Sequence, residues 1–114
     1  MPHFIIDCSE NITTLKTPEV IMQKVYDAAD ASTLFDEGDI KLRINPFKHY
    51  NVGNTTNDFI HIFGNIMEGR TSAQKSALSK KIIRELTLMF PNVPMISINI
   101  RDFEKATYCN KLMV

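Results

Sequence analysis

The residue with the clearest capacity for chemistry is Pro2, which directly follows Met1. Methionine aminopeptidases remove Met1 when the second residue is small, and this cleavage would expose a secondary amine at Pro2. A proline nitrogen inside a chain is a non-basic amide, whereas a terminal α-amino group titrates at about 7.7–8.0. Burial and nearby cations lower that pKa, and a pKa close to ambient pH suits a general base. Pro2 is therefore a candidate general base; the alternative is that it merely leads into a strand.

Three basic residues are candidates for binding a carboxylate. Lys41 and Arg43 are expected to project from the same face of one strand, and Arg70 lies in the Glu68-Gly69-Arg70 turn before a helix. The unpaired amides at a helix N-terminus favour anions, and arginine can hold a carboxylate through two parallel hydrogen bonds. The alternative for each residue is a solvated surface charge.

Other catalytic chemistries lack their usual residue patterns. His3, His49 and His61 do not have metal-ligand spacing, so no metal site is predicted. Cys8 and Cys109 are too few for a disulfide framework, and Cys8 is expected to be a core residue rather than a nucleophile. The chain also contains no glycine-rich phosphate loop, nucleophile elbow or CxxC pair.

Composition excludes several classes of protein. Thirteen Lys and Arg balance thirteen Asp and Glu, whereas a nucleic-acid binder usually has a basic excess. No apolar run approaches the roughly 20 residues that cross a bilayer, and the N-terminus lacks the pattern of a secretory signal. With 114 residues, 44% of them hydrophobic, the chain is expected to form one domain, residues 1–114, that is soluble and cytoplasmic.

The elements that must position these residues fall into two similar halves, and the first half covers residues 2–58. Segment 2–8 predicts a strand that has Phe4, Ile6 and Cys8 on one face and His3, Ile5 and Asp7 on the other. A polar connection over 9–16 follows. Thr17-Pro18 supplies a hydroxyl N-cap and a proline at the first helical position, so a helix begins there. This helix is expected to fray near Ser32.

The second strand of this half is predicted over residues 39–44. Its alternation places apolar residues on one face and Lys41 and Arg43 on the other. Pro46 either ends the strand or confines it to a sheet edge, because proline has no backbone N–H to donate. Residues 49–58 are rich in asparagine and are expected to form a loop or a short hairpin arm.

The second half, residues 59–114, repeats this order. Segment 59–67 predicts a strand, and Thr71-Ser72-Ala73-Gln74 has the spacing of a capping box at the start of a helix. Pro91 and Pro94 are expected to stop that helix. Residues 95–100 then alternate as a final strand.

Two β-α-β halves predict an α+β fold, a four-stranded mixed sheet with two helices on one face. A helical crossover between strands is right-handed and pairs those strands in parallel. The opposite sheet face would be uncovered in a monomer, although Ile5 and Phe63 prevent it from being uniformly polar. We therefore expect self-association to cover this face.

The first residues resemble the amino terminus of 5-carboxymethyl-2-hydroxymuconate isomerases. The likeness lies in Met1-Pro2-His3-Phe4-Ile5, Asp7-Cys8-Ser9 and Asn11-Ile12. That family belongs to the tautomerase superfamily, with 4-oxalocrotonate tautomerase and macrophage migration inhibitory factor. The second half is similar to a 4-oxalocrotonate tautomerase subunit, through Ile60-His61-Ile62, Glu68-Gly69-Arg70-Thr71 and Gln74-Lys75. Ile60 stands where those small subunits have their proline, so the resemblance implies one catalytic terminus per chain.

The resemblance implies a homotrimer that needs no cofactor and binds a small carboxylate substrate. It also implies that Pro2 is the catalytic base after Met1 is removed, and that Lys41, Arg43 and Arg70 bind the substrate. Family members often have Arg-x-Arg at the first pair, and here Lys41 replaces the first arginine. The first-half turn has Asn11 and no arginine.

The activity implied is that of an intramolecular oxidoreductase interconverting keto and enol groups, of the 5-carboxymethyl-2-hydroxymuconate delta-isomerase type, in aromatic-compound catabolism. A 2-hydroxymuconate-type dienol would lose a proton to Pro2 and regain it at a distant carbon. Two alternatives stay open. One is a tautomerase or dehalogenase acting on another carboxylate, and the other is a noncatalytic trimeric binding protein on the same scaffold.

Overall fold

The computed structural model describes all residues, Met1–Val114, and contains a four-stranded sheet with helices packed on it. The strands are β1 (His3–Ser9), β2 (Lys41–Phe47), β3 (Phe59–Met67) and β4 (Met95–Phe103). The helices are α1 (Ile12–Leu15), α2 (Pro18–Ala31) and α3 (Ser72–Met89). Short 3-10 turns occur at Glu37–Asp39, Lys105–Thr107 and Lys111–Met113.

The sheet has the order β2-β1-β3-β4, so β1 and β3 are its inner strands. β1 pairs in parallel with β2, and β3 pairs in parallel with β4. The two halves meet through the antiparallel pair of β1 and β3. Each parallel pair is joined by one long helix, α2 or α3. The predicted mixed sheet of the α+β class is therefore confirmed.

Local sequence explains where the long helices begin. The Thr17 hydroxyl accepts a hydrogen bond from the Val20 N–H at 3.3 Å, directly before α2. Thr71 and Gln74 form the complete capping box of α3, with the two reciprocal bonds at 3.1 and 2.8 Å. These bonds satisfy backbone N–H groups that have no partner inside a helix.

One core lies between the long helices and one face of the sheet. The alternation of β1 and β3 turns every second residue toward the helices, and these residues are buried. The apolar stripes of α2 and α3 pack against them. The fully buried side chains include Phe4, Ile6, Ile21, Val25, Ile60, Ile62, Leu78, Ile82 and Leu86.

Element boundaries differ from the sequence prediction in several places, and β1 covers His3–Ser9 rather than residues 2–8. Residues 12–15 form the short helix α1 inside the segment predicted as a connection. β2 begins at Lys41 because residues 37–39 form a 3-10 turn, and it continues through Pro46. That proline is tolerated because β2 is an edge strand, where a missing N–H breaks no ladder on the outer side. β4 extends beyond residue 100 to Phe103.

The sheet face opposite the helices is open in this single chain. Ile5 and Phe63 are adjacent in register at its centre, and both are only half-buried. Polar residues lie beside them. His61 Nδ1 lies 2.7 Å from Ser97 Oγ, and His61 Nε2 lies 2.7 Å from Asn99 Oδ1. We call this surface the open sheet face. None of the helices has both the length and the apolar character needed to cross a membrane.

Two leucines of α3 should differ strongly in how much they contribute to the free energy of unfolding. Leu86 is fully buried, whereas Leu88 is 78% exposed. Leu86→Ala should lower the free energy of unfolding by about 2–5 kcal/mol, because it removes buried methyl groups and leaves a cavity. Leu88→Ala, the matched control, should change it by less than about 0.5 kcal/mol. Urea denaturation at one protein concentration measures both, and equal losses would contradict the packing described.

Candidate active site

The start of the chain is held in place by the sheet. β1 begins at His3, directly after Pro2, and the side chain of Pro2 is buried. The Lys41 N–H donates a hydrogen bond to the Pro2 carbonyl at 3.0 Å, where β2 begins. The position of the Pro2 nitrogen therefore follows from the pairing of β1 with β2.

A cavity of about 300 Å³ lies at this end of the sheet, and we call it the N-terminal cavity. Its walls come from the chain terminus, from the segment between α2 and β2, and from the turn after β3. The lining residues are Met1, Thr33, Leu34, Phe35, Asp36, Asp39 and Arg70. The cavity therefore brings the chain terminus together with a guanidinium group, and two aspartates share its wall.

Arg70 is oriented by three contacts on one side of the cavity. Its Nη2 donates to the Leu34 carbonyl at 2.7 Å and its Nη1 to the Met67 carbonyl at 3.3 Å. The guanidinium carbon lies 5.0 Å from the centre of the Phe35 ring. None of the ion pairs in the structure involves Arg70. The guanidinium group is therefore fixed in orientation but has no carboxylate partner, and its remaining N–H groups can bind an anion.

Lys41 lies beside the chain terminus. Its Nζ donates to the Asp39 carbonyl at 2.9 Å and lies 4.0 Å from Met1 Sδ. Partial burial of the terminus lowers the pKa of the Met1 α-amino group below its ordinary value of 8.0. Arg70 and Lys41 also lower this pKa, whereas Asp39 and Asp36 raise it. An amine at this position is consequently biased toward the neutral, proton-accepting form.

Arg43 lies away from the N-terminal cavity, on the open sheet face. Its side chain is exposed, and Nη1 lies 3.2 Å from His3 Nδ1. Burial, followed by the charges of Arg43 and Lys41, lowers the pKa of His3. Of the four residues predicted for the site, only Arg70 lines the cavity. Pro2 and Lys41 lie beside the terminal Met1, and Arg43 lies next to His3 on the open sheet face.

The sequence analysis did not single out Phe35, Asp36 or Asp39. Their chain segment follows α2 and leads into the 3-10 turn Glu37–Asp39, so no periodic pattern marks it. The only local signal is an acidic cluster around Gly38. Such a cluster is typical of any exposed turn.

A larger cavity, of about 370 Å³, lies between the end of α2 and the start of α3. Lys81 is the only charged residue in its lining, and the Lys81 Nζ pairs with Glu85 at 3.0 Å. The other lining residues are small, apolar or uncharged polar residues. The N-terminal cavity, although smaller, is therefore the better candidate for acid–base chemistry.

Comparison with known proteins identifies relatives of the whole chain. The family model described as 5-carboxymethyl-2-hydroxymuconate isomerase matches residues 2–111. A search of curated proteins gives no significant match. Among solved structures, the chain is similar to a 5-carboxymethyl-2-hydroxymuconate isomerase from Deinococcus radiodurans R1. The TM-score is 0.83 at 23% identity, over 96% of this chain and 88% of that one.

Two further solved structures share the fold. A 5-carboxymethyl-2-hydroxymuconate delta-isomerase gives a TM-score of 0.76 at 17% identity, over 97% of this chain and 87% of the other. A fused 4-OT described as a wild-type symmetric trimer gives 0.80 at 13% identity, over 98% and 94%. At these identities, the likeness to solved structures establishes the fold.

The two cysteines should differ sharply in reactivity. Cys8 is buried in the core, and its burial, with the charges of Asp7 and Asp58, raises the pKa of its thiol to about 11. Cys109 is exposed. Iodoacetamide at neutral pH should therefore add one adduct per chain by intact mass, because the thiolate is the reactive form. Cys109→Ser should remove that adduct and Cys8→Ser should retain it; two rapid adducts would show that Cys8 is accessible.

Proposed function

The chain belongs to the 5-carboxymethyl-2-hydroxymuconate isomerase family, and we propose that this isomerase of the tautomerase superfamily uses Pro2 as its general base. Removal of Met1 would leave the Pro2 amine at the edge of the N-terminal cavity. The substrate would be a 2-hydroxymuconate-type dienol, with 5-carboxymethyl-2-hydroxymuconate as the family's namesake. The single observation that supports this most strongly is that the N-terminal cavity combines the chain terminus with Arg70.

The proposed reaction moves one proton and needs no redox step. The substrate O–H bond at carbon 2 breaks, and the proton is transferred to the neutral Pro2 nitrogen. The electron pair passes along the diene, so that carbon 2 becomes a ketone and carbon 5 accepts the proton from Pro2. The amine returns to its neutral form, and one group therefore serves as both base and acid.

The cations would bind and stabilise the substrate in this scheme. Arg70 has N–H groups left over from its bonds to the Leu34 and Met67 carbonyls, and it would hold the substrate carboxylate. Lys41, beside the terminus, would stabilise negative charge that develops on the 2-oxygen. Both cations also favour the neutral amine on which the reaction depends.

The assembly we propose is a homotrimer in the cytoplasm. The open sheet face, with Ile5 and Phe63 at its centre, needs a covering surface. A structural relative is described as a symmetric trimer. Because Arg43 lies on this face rather than in its own chain's cavity, its proposed role in substrate binding would be exerted at the site of another copy.

Replacing Pro2 tests the base. In protein that intact mass shows to lack Met1, Pro2→Ala should lower kcat for 2-hydroxymuconate by about 10²–10⁴-fold, the usual contribution of a positioned general base. Circular dichroism and sedimentation should remain those of the parent. Pro91→Ala, an equivalent change after α3, serves as the control and should retain full activity. Unchanged turnover in Pro2→Ala, or Met1 retained in an active enzyme, would remove Pro2 from the mechanism.

Replacing Arg70 tests carboxylate binding. Arg70→Ala should reduce kcat/KM by about 10–100-fold, chiefly through KM, because a charge-assisted hydrogen bond contributes about 1.5–3 kcal/mol. Arg70→Lys should lose less, since the charge is kept. Arg84→Ala on the exposed surface of α3 is the control and should leave both constants unchanged. An equal loss of kcat/KM in Arg70→Ala and Arg84→Ala would indicate an effect of the protein's net charge rather than carboxylate binding by Arg70.

The pH dependence follows from the lowered amine pKa. The reacting form is the neutral amine, so kcat/KM should rise with pH and level off above the pKa of the free enzyme's amine. Burial lowers the pKa of the Met1 amine, and we expect the same effect on the Pro2 amine of the processed chain, so the midpoint should lie below 8.0. Stopped-flow or steady-state assays between pH 5 and 10 measure the profile. A midpoint above 8.0 would mean that the terminus is not desolvated as described.

A further inference from the structure

Arg70 depends on its neighbours for its orientation, because it lies in the turn between β3 and α3 rather than in a helix or strand. Gly69, directly before it, has a φ of +121°. The guanidinium group has no ion pair, and its two hydrogen bonds go to the main-chain carbonyls of Leu34 and Met67. The third contact is the ring of Phe35, 5.0 Å from the guanidinium carbon. Phe35 therefore provides the only side chain among the three contacts.

The ring of Phe35 is itself fixed against β1. It packs edge-on against the ring of Phe4, with 6.1 Å between the ring centres and an angle of 74° between the planes. Phe4 is fully buried in β1, two residues after Pro2. Its register partner in β3 is Gly64, where a Cβ atom would lie only 3.2 Å from the Phe4 ring. Phe35 is consequently held in place relative to the strand that follows Pro2.

The segment that leads into Phe35 follows a path that local preference does not explain. Thr33 has a φ of +61°, in the left-handed region that a β-branched residue seldom adopts. The Leu34 N–H donates to Ser32 Oγ at 3.2 Å, and the Leu34 carbonyl accepts from Arg70 Nη2 at 2.7 Å. A backbone outlier persists only where the surrounding contacts determine it. The contacts of Leu34 and Phe35 with Arg70 are contacts of this kind.

The Phe35 ring can do more than fill space at this position. The face of an aromatic ring attracts a cation, and the attraction grows where water is excluded. Phe35 is half-buried and lines the N-terminal cavity together with Arg70. With a ring and two carbonyls as partners, the guanidinium group is restricted before any ligand enters the cavity. A group that is ordered in advance loses less conformational entropy when it binds its ligand.

We propose that Phe35 is a positioning residue of the candidate active site, because its ring holds the Arg70 guanidinium in the orientation that binds the substrate carboxylate. The contacts from Phe4 to Phe35 and from Phe35 to Arg70 then connect the strand that follows the base with the group that binds the substrate. This inference rests on the proposed function for the reaction. It adds to that function a residue that acts through Arg70.

The kinetic test removes the ring and keeps an apolar side chain. In processed protein, Phe35→Leu should lower kcat/KM for 2-hydroxymuconate by about 3–10-fold, chiefly through KM, as expected for a partly buried contact between a cation and a ring. Phe35→Tyr keeps the ring and should stay within about twofold of wild type. If circular dichroism shows that Phe35→Leu is unfolded, Phe35→Met takes its place. An unchanged kcat/KM in the variant without the ring would overturn the inference.

A control variant removes a different aromatic ring. Phe59 is half-buried like Phe35, and its ring packs against Tyr50 with 5.4 Å between the ring centres. It lies at the start of β3, at the opposite end of the sheet from Pro2. Phe59→Leu should therefore change kcat/KM by less than about twofold. A loss as large as that of Phe35→Leu would show that the kinetics respond to any lost ring, and would contradict the proposed role.

A double-mutant cycle separates positioning from a structural role. If Phe35 acts through Arg70, then Phe35→Leu should lower kcat/KM in the wild-type background and change it by less than about twofold in the Arg70→Ala background. Residues that do not act on each other would instead show additive losses. An equal loss in both backgrounds would therefore mean that Phe35 merely supports the fold, and the inference would be wrong.

Nitrogen-15 NMR tests the contact without any turnover. The signal of the Arg70 Nε–H group, identified by its loss in Arg70→Ala, should be displaced upfield by the ring current of Phe35. In Phe35→Leu it should move toward the signal of Arg84, which is exposed on α3. A signal that stays in place would overturn the inference. If the shift is observed but wild type does not turn over 2-hydroxymuconate, the proposed function fails and the contact between Phe35 and Arg70 stands.

Discussion

The hydrogen bond from the Lys41 N–H to the Pro2 carbonyl fixes the chain terminus at the edge of the sheet, and the proposed chemistry depends on that position. Backbone groups inside a fold must find partners, so the first residues of an inner strand cannot move freely. β1 is paired on both sides, and Pro2 directly precedes it. A chain terminus is usually mobile. Here the sheet itself holds that terminus beside Arg70, which enters from the turn after β3.

The charges around this terminus act in opposite directions. Burial, Arg70 and Lys41 favour the neutral amine, and Asp36 and Asp39 favour the protonated one. A base that both takes and returns a proton needs a pKa near ambient pH rather than an extreme value. The two aspartates therefore oppose the effect of burial and of the two cations on the pKa of the terminal amine.

The sequence predicts the regular elements well, because their signals are local. The hydroxyl and proline at Thr17-Pro18 and the capping box at Thr71 identify the helix starts, and the alternation of 59–67 matches β3 residue for residue. The sequence alone does not decide whether β2 ends at Pro46 or continues through it, because only the sheet order shows which strand lies at the edge. A short polar helix such as α1 has no periodic stripe that could predict it.

The site was less predictable than the fold. The alternation of β2 places Lys41 and Arg43 on the same strand face, but the approach of Lys41 to Met1 and the contact of Arg43 with His3 depend on tertiary placement. Asp36 and Asp39 reach the cavity only through a 3-10 turn. Nitrogen-15 NMR titration of proline-labelled, processed protein would measure the Pro2 amine directly. The account predicts a pKa below the 7.7–8.0 usual for a terminal amine; a value above that range, or an amide that does not titrate, would contradict it.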